Sequence, residues 1–474
     1  MTEKVKNEKD KEKEKDKDKD KDKDKDKDKK KSNSQNLKIT EWRYSEFLGE
    51  KIPLQNFKTF PENQLFLVTN CKFSNNGEFV VVSDKGGRII IFKKKDKSNS
   101  TKLEYFYEFQ AHDKDFDMHK SIEYSEEVKA LSLLPIIDSK RIDVISTSYR
   151  NIHIDRVYQT KTKVYEKVDK KSMELPKLKE TKNDVKCKSL LKFNNVHTSE
   201  INSVSISPFN IENFISSDEE NVYIWDINHQ KEVFNVISSN VDDENAEKIT
   251  TSQISPLNPS IFAYGTSKGV LNYCDLRINS RPESYSTKFK DLKSSYGSTV
   301  FANQLLAVHD INFKLSNSYL MATRHYLSVN LWDERKNTEP VYKYLLYEPI
   351  INKLTYLYQN DFLKDKFTLS SQTNGNFILT GGYNNMFHVL DIEQRLNSQI
   401  LLDSTNEKSL NTNIIRKVNS KGSCYYRSEE PEMNNQSFEK KITNVALSPT
   451  ENFSVLACLN CIYTYNGSIA TNNK

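Results

Sequence analysis

Only six cysteines are spread over 474 residues, no hydrophobic leader opens the chain, and no apolar run is long enough to span a bilayer. These absences point to a soluble intracellular protein, cytoplasmic or nuclear, without disulfides and without a membrane partner. Catalytic signatures are missing too. There is no Gly-x-Ser-x-Gly elbow, no His-Glu-x-x-His and no phosphate-cradling loop. His112-Asp113 and His309-Asp310 are the only pairs that begin a two-metal centre, and such a centre needs several more ligands than eight scattered histidines supply. A hydrogen-bonded structural role is expected for His309. Cys458 and Cys461 have a zinc-like spacing, but no second pair completes it and they lie in a strand pattern, so core packing is expected. No catalytic residue, metal or cofactor is expected.

A strong charge of one sign is lacking as well. The net charge is +5, and residues 1–31 alone hold fifteen Lys against twelve Asp and Glu, so the rest carries about +2. That balance gives little support to a nucleic-acid partner. The Lys-Asp alternation from Lys9 to Lys31 has almost no apolar residue to bury, so residues 1–36 are expected to be a disordered tail.

No convincing helical period interrupts the chain; what recurs is a short strand ending in Trp-Asp. It reads Val222-Tyr223-Ile224-Trp225-Asp226 and Ser328-Val329-Asn330-Leu331-Trp332-Asp333, with weaker copies at Arg88 to Phe92, Asn151 to Asp155, Leu271 to Arg277, Phe387 to Ile392 and Asn460 to Tyr465. These make seven. A second phrase, an alternating strand closed by a Ser-Pro or Asn-Gly turn, occurs at Cys71 to Gly77, Val204 to Pro208, Thr251 to Pro256 and Val445 to Pro449. Such periodicity predicts an all-β, seven-bladed WD-repeat propeller over residues 37–467, with insertions on loops and residues 468–474 as a tail. Trp42 is expected on an N-terminal strand that completes the last blade and removes an open edge. Arg156 to Asn195, rich in Lys and Glu with sparse apolar points at Leu175, Pro176 and Leu178, reads as an extended hairpin or a disordered insertion. Asn397 to Asn435 reads as a surface loop.

From Asn75 to Phe92 the chain reads Asn-Asn-Gly-Glu-Phe-Val-Val-Val-Ser-Asp-Lys-Gly-Gly-Arg-Ile-Ile-Ile-Phe, which closely resembles the B-type (55-kilodalton) regulatory subunits of protein phosphatase 2A, a WD-repeat family. Further matches are Phe109-Gln110-Ala111-His112, Phe116-Asp117, Lys120-Ser121-Ile122-Glu123, His197-Thr198, Ile201-Asn202-Ser203, Thr323-Arg324, Tyr326-Leu327-Ser328-Val329, Gly382-Tyr383-Asn384-Asn385 and Glu451-Asn452. The likeness runs from about Ile39 to Gly467. It implies a non-catalytic subunit that docks on a helical-repeat scaffold subunit and a metal-containing catalytic subunit, and presents phosphoprotein substrates to them.

Resemblance also assigns residues. By composition Lys85, in Asp84-Lys85-Gly86-Gly87, is a polar hairpin tip; the resemblance implies that it lines a substrate groove. Asp218-Glu219-Glu220 reads as a solvated acidic turn at a blade's rim, and the resemblance implies groove positions for Asp218 and Glu219. Tyr358 and Lys366 are implied groove contacts, with Phe367 in the core and Asp365 capping the turn. The loop Asp113 to Asp117 exposes Phe116 between Asp115 and Asp117, with Lys120 and Glu123 following; it is either an anchor facing the catalytic subunit and substrates, or a connecting loop whose Phe tucks underneath. The insertion Arg156 to Asn195 becomes an arm along the scaffold, bringing Leu175, Pro176 and Leu178 to it. Ser199, Glu200, Gln64 and Gln359 depart from the family's pattern and put substrate choice, not fold, in question. A WD-repeat scaffold unrelated to phosphatases stays open as an alternative, and an enzyme stands third.

Overall fold

Where short runs of alternating or wholly apolar residues stop at Gly, Asn, Asp or Pro, the chain forms strands. The computed structural model describes residues 40–49, 61–97, 100–112, 114–117, 122–136, 138, 141–165, 178–194, 197–207, 211–228, 233–238, 247–277, 287–291, 300–313, 319–346, 349–372, 376–402, 414–418, 424–425 and 438–469. Residues 42–467 make one compact unit. Among the described residues the strands form seven antiparallel sheets, the blades of a β-propeller, and one separate two-stranded ribbon.

Blade 1 consists of Val68–Phe73, Phe79–Asp84, Arg88–Lys97 and Ser100–Gln110, from the inner strand outwards. The later blades begin at Ala130–Leu133, Ser203–Ile206, Ile249–Ile254, Asp310–Asn312, Leu369–Ser371 and Ile442–Leu447. All seven Trp-Asp-like phrases fall on third strands, and the four Ser-Pro or Asn-Gly phrases on first strands. The Asp closing the third strand turns the chain: Asp226, Asp275 and Asp333 each accept the backbone N–H two residues on, at 2.8, 3.0 and 3.0 Å.

Each core lies between two neighbouring blades. In Phe79-Val80-Val81-Val82, every side chain is buried. Phe79 and Val81 pack with Ile142 and Val144 of blade 2, whereas Val80 and Val82 pack with Phe453 and Val455 of blade 7. A strand with period two thus serves two cores, which is why the middle strands are apolar without interruption. Fully burying each such side chain stabilises the fold by about 1.5–3 kcal/mol.

A buried polar chain organises blade 3. The carboxylate of Asp218 meets His197 Nδ1 at 3.0 Å, His197 Nε2 meets Ser216 Oγ at 2.7 Å, and Trp225 Nε1 donates to that same Oγ at 2.7 Å. The carboxylate only accepts, so Nδ1 carries a proton; with the ring neutral, Nε2 accepts from Ser216, whose oxygen accepts from Trp225. In blade 5 Trp332 Nε1 likewise donates to Thr323 Oγ1 at 2.9 Å, and Thr323 joins His325 at 3.0 Å.

As expected, Thr40–Leu48 forms the outer strand of blade 7, beside Cys461–Ile469, and Trp42 is buried among Tyr465 and its neighbours. Ser468 and Ile469, expected in a tail, end that strand. Arg156 to Asn195 is largely a hairpin: Ile152–Tyr165 pairs with Leu178–Phe193 throughout, whereas the second strand of blade 2 reaches only to Tyr158, leaving a two-stranded ribbon from Gln159 to Tyr165. Residues 397–401, expected to open a surface loop, instead belong to the fourth strand of blade 6, Leu396–Leu401, and Ile414–Val418 and Cys424–Tyr425 add two further strands. Their polar side chains misled: Asn397 and Gln399 are buried, and Asn397 bonds His388 at 3.1 Å. The charged tail 1–36 lies outside the described residues.

Candidate functional site: the mouth of the propeller channel

First strands from all seven blades line a central cavity of about 670 Å³. One mouth is built by the segments that precede those strands and by the turns between second and third strands. Of the singled-out residues, Lys85, Lys366 and the turn carrying Asp218 and Glu219 belong to these segments.

Lys85 lies on such a turn in blade 1. Asp84 shapes it, accepting from Gly86 N at 3.1 Å, Arg88 N at 2.9 Å and Arg88 Nε at 2.9 Å. Gly87 closes it at φ +82°, where a Cβ would meet the backbone oxygens of His112 and Glu126. Lys85 lines the mouth with no ion-pair partner among the described residues.

Lys366 precedes the first strand of blade 6, and its Nζ donates to Asn202 Oδ1 of blade 3 at 3.1 Å. Blades three apart in a ring of seven face each other, so this side chain spans the mouth. Lys366 stays exposed to solvent, but the protein crowded around its ammonium lowers its pKa, against the opposing pull of Glu200 and Glu219. Neighbouring Phe367 is fully buried, as expected. Asp365 holds Lys441 at 2.5 Å and accepts from Tyr383 at 3.0 Å, tying blade 6 to blade 7.

Asp218 is placed differently from its sequence expectation. Its carboxylate is turned inward and fully buried, bonded to His197 and accepting from Glu220 N at 2.8 Å and Asn221 N at 2.6 Å. Burial alone would raise its pKa; the bonds from His197, Asn221 and Glu220 outweigh that and hold it below the usual carboxylate range. It therefore builds the turn that presents Glu219, which pairs with Lys248 at 2.6 Å. Tyr358, on the short helix Leu354–Gln359, is exposed and packs against Phe301 at 5.3 Å between ring centroids, apart from the cavity lining.

Two mouth residues were missed, and one was named only as a departure. Lys129 bridges Glu200 at 2.6 Å and Glu127 at 3.3 Å, so the segments preceding blades 2 and 3 are joined by an ion triad. Burial alone would lower the Lys129 pKa, but the two carboxylates raise it. Ser199, another departure, accepts from Glu219 N at 3.2 Å. The available signal was position: each of these residues stands just before a first strand.

Residues 114–117 pair with Ile122–Ser125 as a separate ribbon, with Asp115 opposite Tyr124, Phe116 opposite Glu123 and Asp117 opposite Ile122. Lys120 lies outside the described residues, as do Leu175 and Pro176; Leu178 opens the returning strand of the hairpin. His112 and His153 stack inside at 4.3 Å, and burial lowers His112 to about 3. Cys458 and Cys461 are buried in the core between blades 6 and 7, where burial pushes the Cys458 thiol up to about 12. Among the described residues no group of His, Cys, Asp and Glu has a metal-binding arrangement, and no helix is long and apolar enough to cross a membrane.

No protein-family model matches the chain. Curated relatives do. The gamma isoform of the 55 kDa B-type regulatory subunit of serine/threonine-protein phosphatase 2A from Macaca fascicularis is 26% identical over 444 residues, covering 89% of this chain and 98% of that protein. The chain is similar to B-type regulatory subunits along nearly its whole length. The corresponding proteins of Oryctolagus cuniculus and Homo sapiens are each 26% identical over 423 residues, covering 85% of this chain and 93% of theirs. All three are named as regulatory subunits, none as a catalytic one.

Proposed function

We propose that this chain is a non-catalytic regulatory subunit of a trimeric Ser/Thr protein phosphatase 2A. It docks on a helical-repeat scaffold subunit and a catalytic subunit, in the cytoplasm and also the nucleus, and brings phosphoproteins to them. The observation that carries this is coverage: the likeness takes in 98% of the macaque relative, so it embraces blades and insertions together rather than one common repeat. The two-stranded ribbon beyond Tyr158 supplies a projecting arm for the scaffold. The channel mouth supplies the substrate surface, with Lys85 and Lys366 as cations and Glu219 and Glu200 as acids. Its contribution to rate is positional: a docked phosphoprotein meets the active site at high effective concentration.

The test is affinity purification of the tagged chain from its own cell extract, with mass spectrometry and okadaic-acid-sensitive phosphatase activity read on the eluate. Joint recovery of scaffold and catalytic subunits is the expected result. Their joint absence under gentle conditions overturns the reading.

A further inference from the structure

A pair of cysteines sits where the propeller ring closes. Cys458 ends the second strand of blade 7, Cys461 begins the third, and the two are direct partners across a two-residue turn. Directly opposed residues of an antiparallel pair have Cα atoms about 4.5–5.5 Å apart and side chains on one face. That range falls inside the roughly 4.4–6.8 Å window that a disulfide requires. Cys71, Cys187, Cys274 and Cys424 face Val82, Val157, Phe262 and Val418 instead, so this is the one cross-strand cysteine pair among the described residues.

The turn between them is strained. Leu459 has φ +55°, the one apolar non-glycine residue among those described to take the left-handed region, where Cβ crowds the following carbonyl. The turn is also a junction. Leu459 O accepts from Val68 N, on the first strand of blade 1, at 2.9 Å, and Cys458 Sγ donates to Asn385 Oδ1, on a blade 6 turn, at 3.3 Å. Gly49, just beyond the N-terminal strand that completes blade 7, packs on the same turn: a Cβ there would meet Asn460 O at 2.9 Å and Cys461 Sγ at 3.6 Å. Blades 6, 7 and 1 therefore meet at these two thiols.

We propose that Cys458 and Cys461 form a reversible disulfide that clasps this seam. The oxidant is oxidised glutathione: one cysteine thiolate attacks it and releases a glutathione thiol, and the second cysteine displaces the other glutathione. Two cysteine S–H bonds are lost and one S–S bond forms, while two electrons and two protons pass to the glutathione pair. A reducing compartment keeps the pair as thiols, and the disulfide appears as the glutathione poise rises. Both thiols are buried, and burial pushes Cys458 up to about 12, so exchange is slow and waits for the turn to open. The cross-link, once made, removes open conformations of the strained turn.

Thiol trapping on the full chain tests the clasp. Folded protein is equilibrated in glutathione buffers from reducing to oxidising, approached from both reduced and oxidised protein, then quenched with acid, alkylated and cut with trypsin. Residues 442–474 emerge as one peptide that holds both cysteines. In oxidising buffer this peptide is expected to be two hydrogens lighter and closed to alkylation until reduced. The same series in denaturant measures what the fold contributes: the folded chain is expected to close the pair at a glutathione ratio at least about tenfold less oxidising, because the hairpin holds the partners together. Cysteines that stay open to alkylation throughout, a stable glutathione adduct in place of the disulfide, or a pair that closes no more readily folded than unfolded overturns the proposal.

Discussion

Replacing Ser216 by Ala removes one oxygen from the middle of the blade 3 network and isolates two partners at once. Trp225 Nε1–H loses its acceptor at 2.7 Å and His197 Nε2 loses its donor at 2.7 Å. Both side chains are at most 2% exposed, so water does not take the hydroxyl's place. Each orphaned buried group costs about 1–3 kcal/mol, giving about 2–6 kcal/mol together. Denaturant unfolding is the assay: the midpoint falls while the slope stays constant, because the surface exposed on unfolding is the same. Thr198→Ala, which removes an exposed hydroxyl 3.4 Å from Glu220, serves as control and stays within about 0.5 kcal/mol. Coupling is read from Trp225→Phe, which costs less in the Ser216→Ala background than alone, because the indole N–H is already unsatisfied. A loss below about 0.5 kcal/mol for Ser216→Ala, or strict additivity with Trp225→Phe, would show that the three side chains are not coupled.

Three other outcomes follow from the same contacts. Gly381→Ala drives a Cβ into the backbone carbonyl of Ile442, which belongs to a first strand and cannot yield; a loss of about 3 kcal/mol or more is expected in thermal unfolding, and a near-neutral result contradicts the blade 6–7 packing. Asp143 receives Arg156 at 2.7 Å and Arg141 at 2.7 Å, and these guanidiniums overcome the effect of burial and depress its pKa. A depressed folded pKa gives stability present above the unfolded value, about 3.9, and lost as pH falls through the folded one; the gap between wild type and Asp143→Asn therefore narrows in denaturation midpoints taken from pH 6 to pH 3, and a widening gap contradicts the pairing. Lys85→Glu, or Glu219→Lys, weakens capture of phosphoprotein substrates about tenfold while scaffold binding persists; loss of scaffold binding in either variant shows that the mouth has been assigned to the wrong face.

Blade identity was legible because its signals are local. Trp225-Asp226 and Trp332-Asp333 combine a strand, a buried ring and a turn-forming carboxylate within a few residues. The inner mouth was legible only in part. Asp218 reads as a solvated acid in Asp218-Glu219-Glu220, and its inward turn depends on His197, which lies in another segment and reaches it only once blade 3 is assembled. Lys129 and Glu200 meet because blades 2 and 3 are neighbours in the ring, a contact no periodicity encodes. The fourth strand of blade 6 escaped because Asn397 and Gln399 face a polar interior, so alternation of apolar and polar residues fails there.

Whether this chain assembles into a phosphatase trimer is read by reconstitution. The purified chain, a phosphatase 2A scaffold subunit and its catalytic subunit are mixed and resolved by size-exclusion chromatography, beside a variant in which Gln159 to Asp184 is replaced by a two-residue turn. A stable trimer is expected with the full chain, no trimer with the shortened arm, and the same unfolding midpoint for both proteins, because the ribbon lies beyond the blade's other strands. Failure of the full, folded chain to enter a trimer would contradict the regulatory-subunit reading.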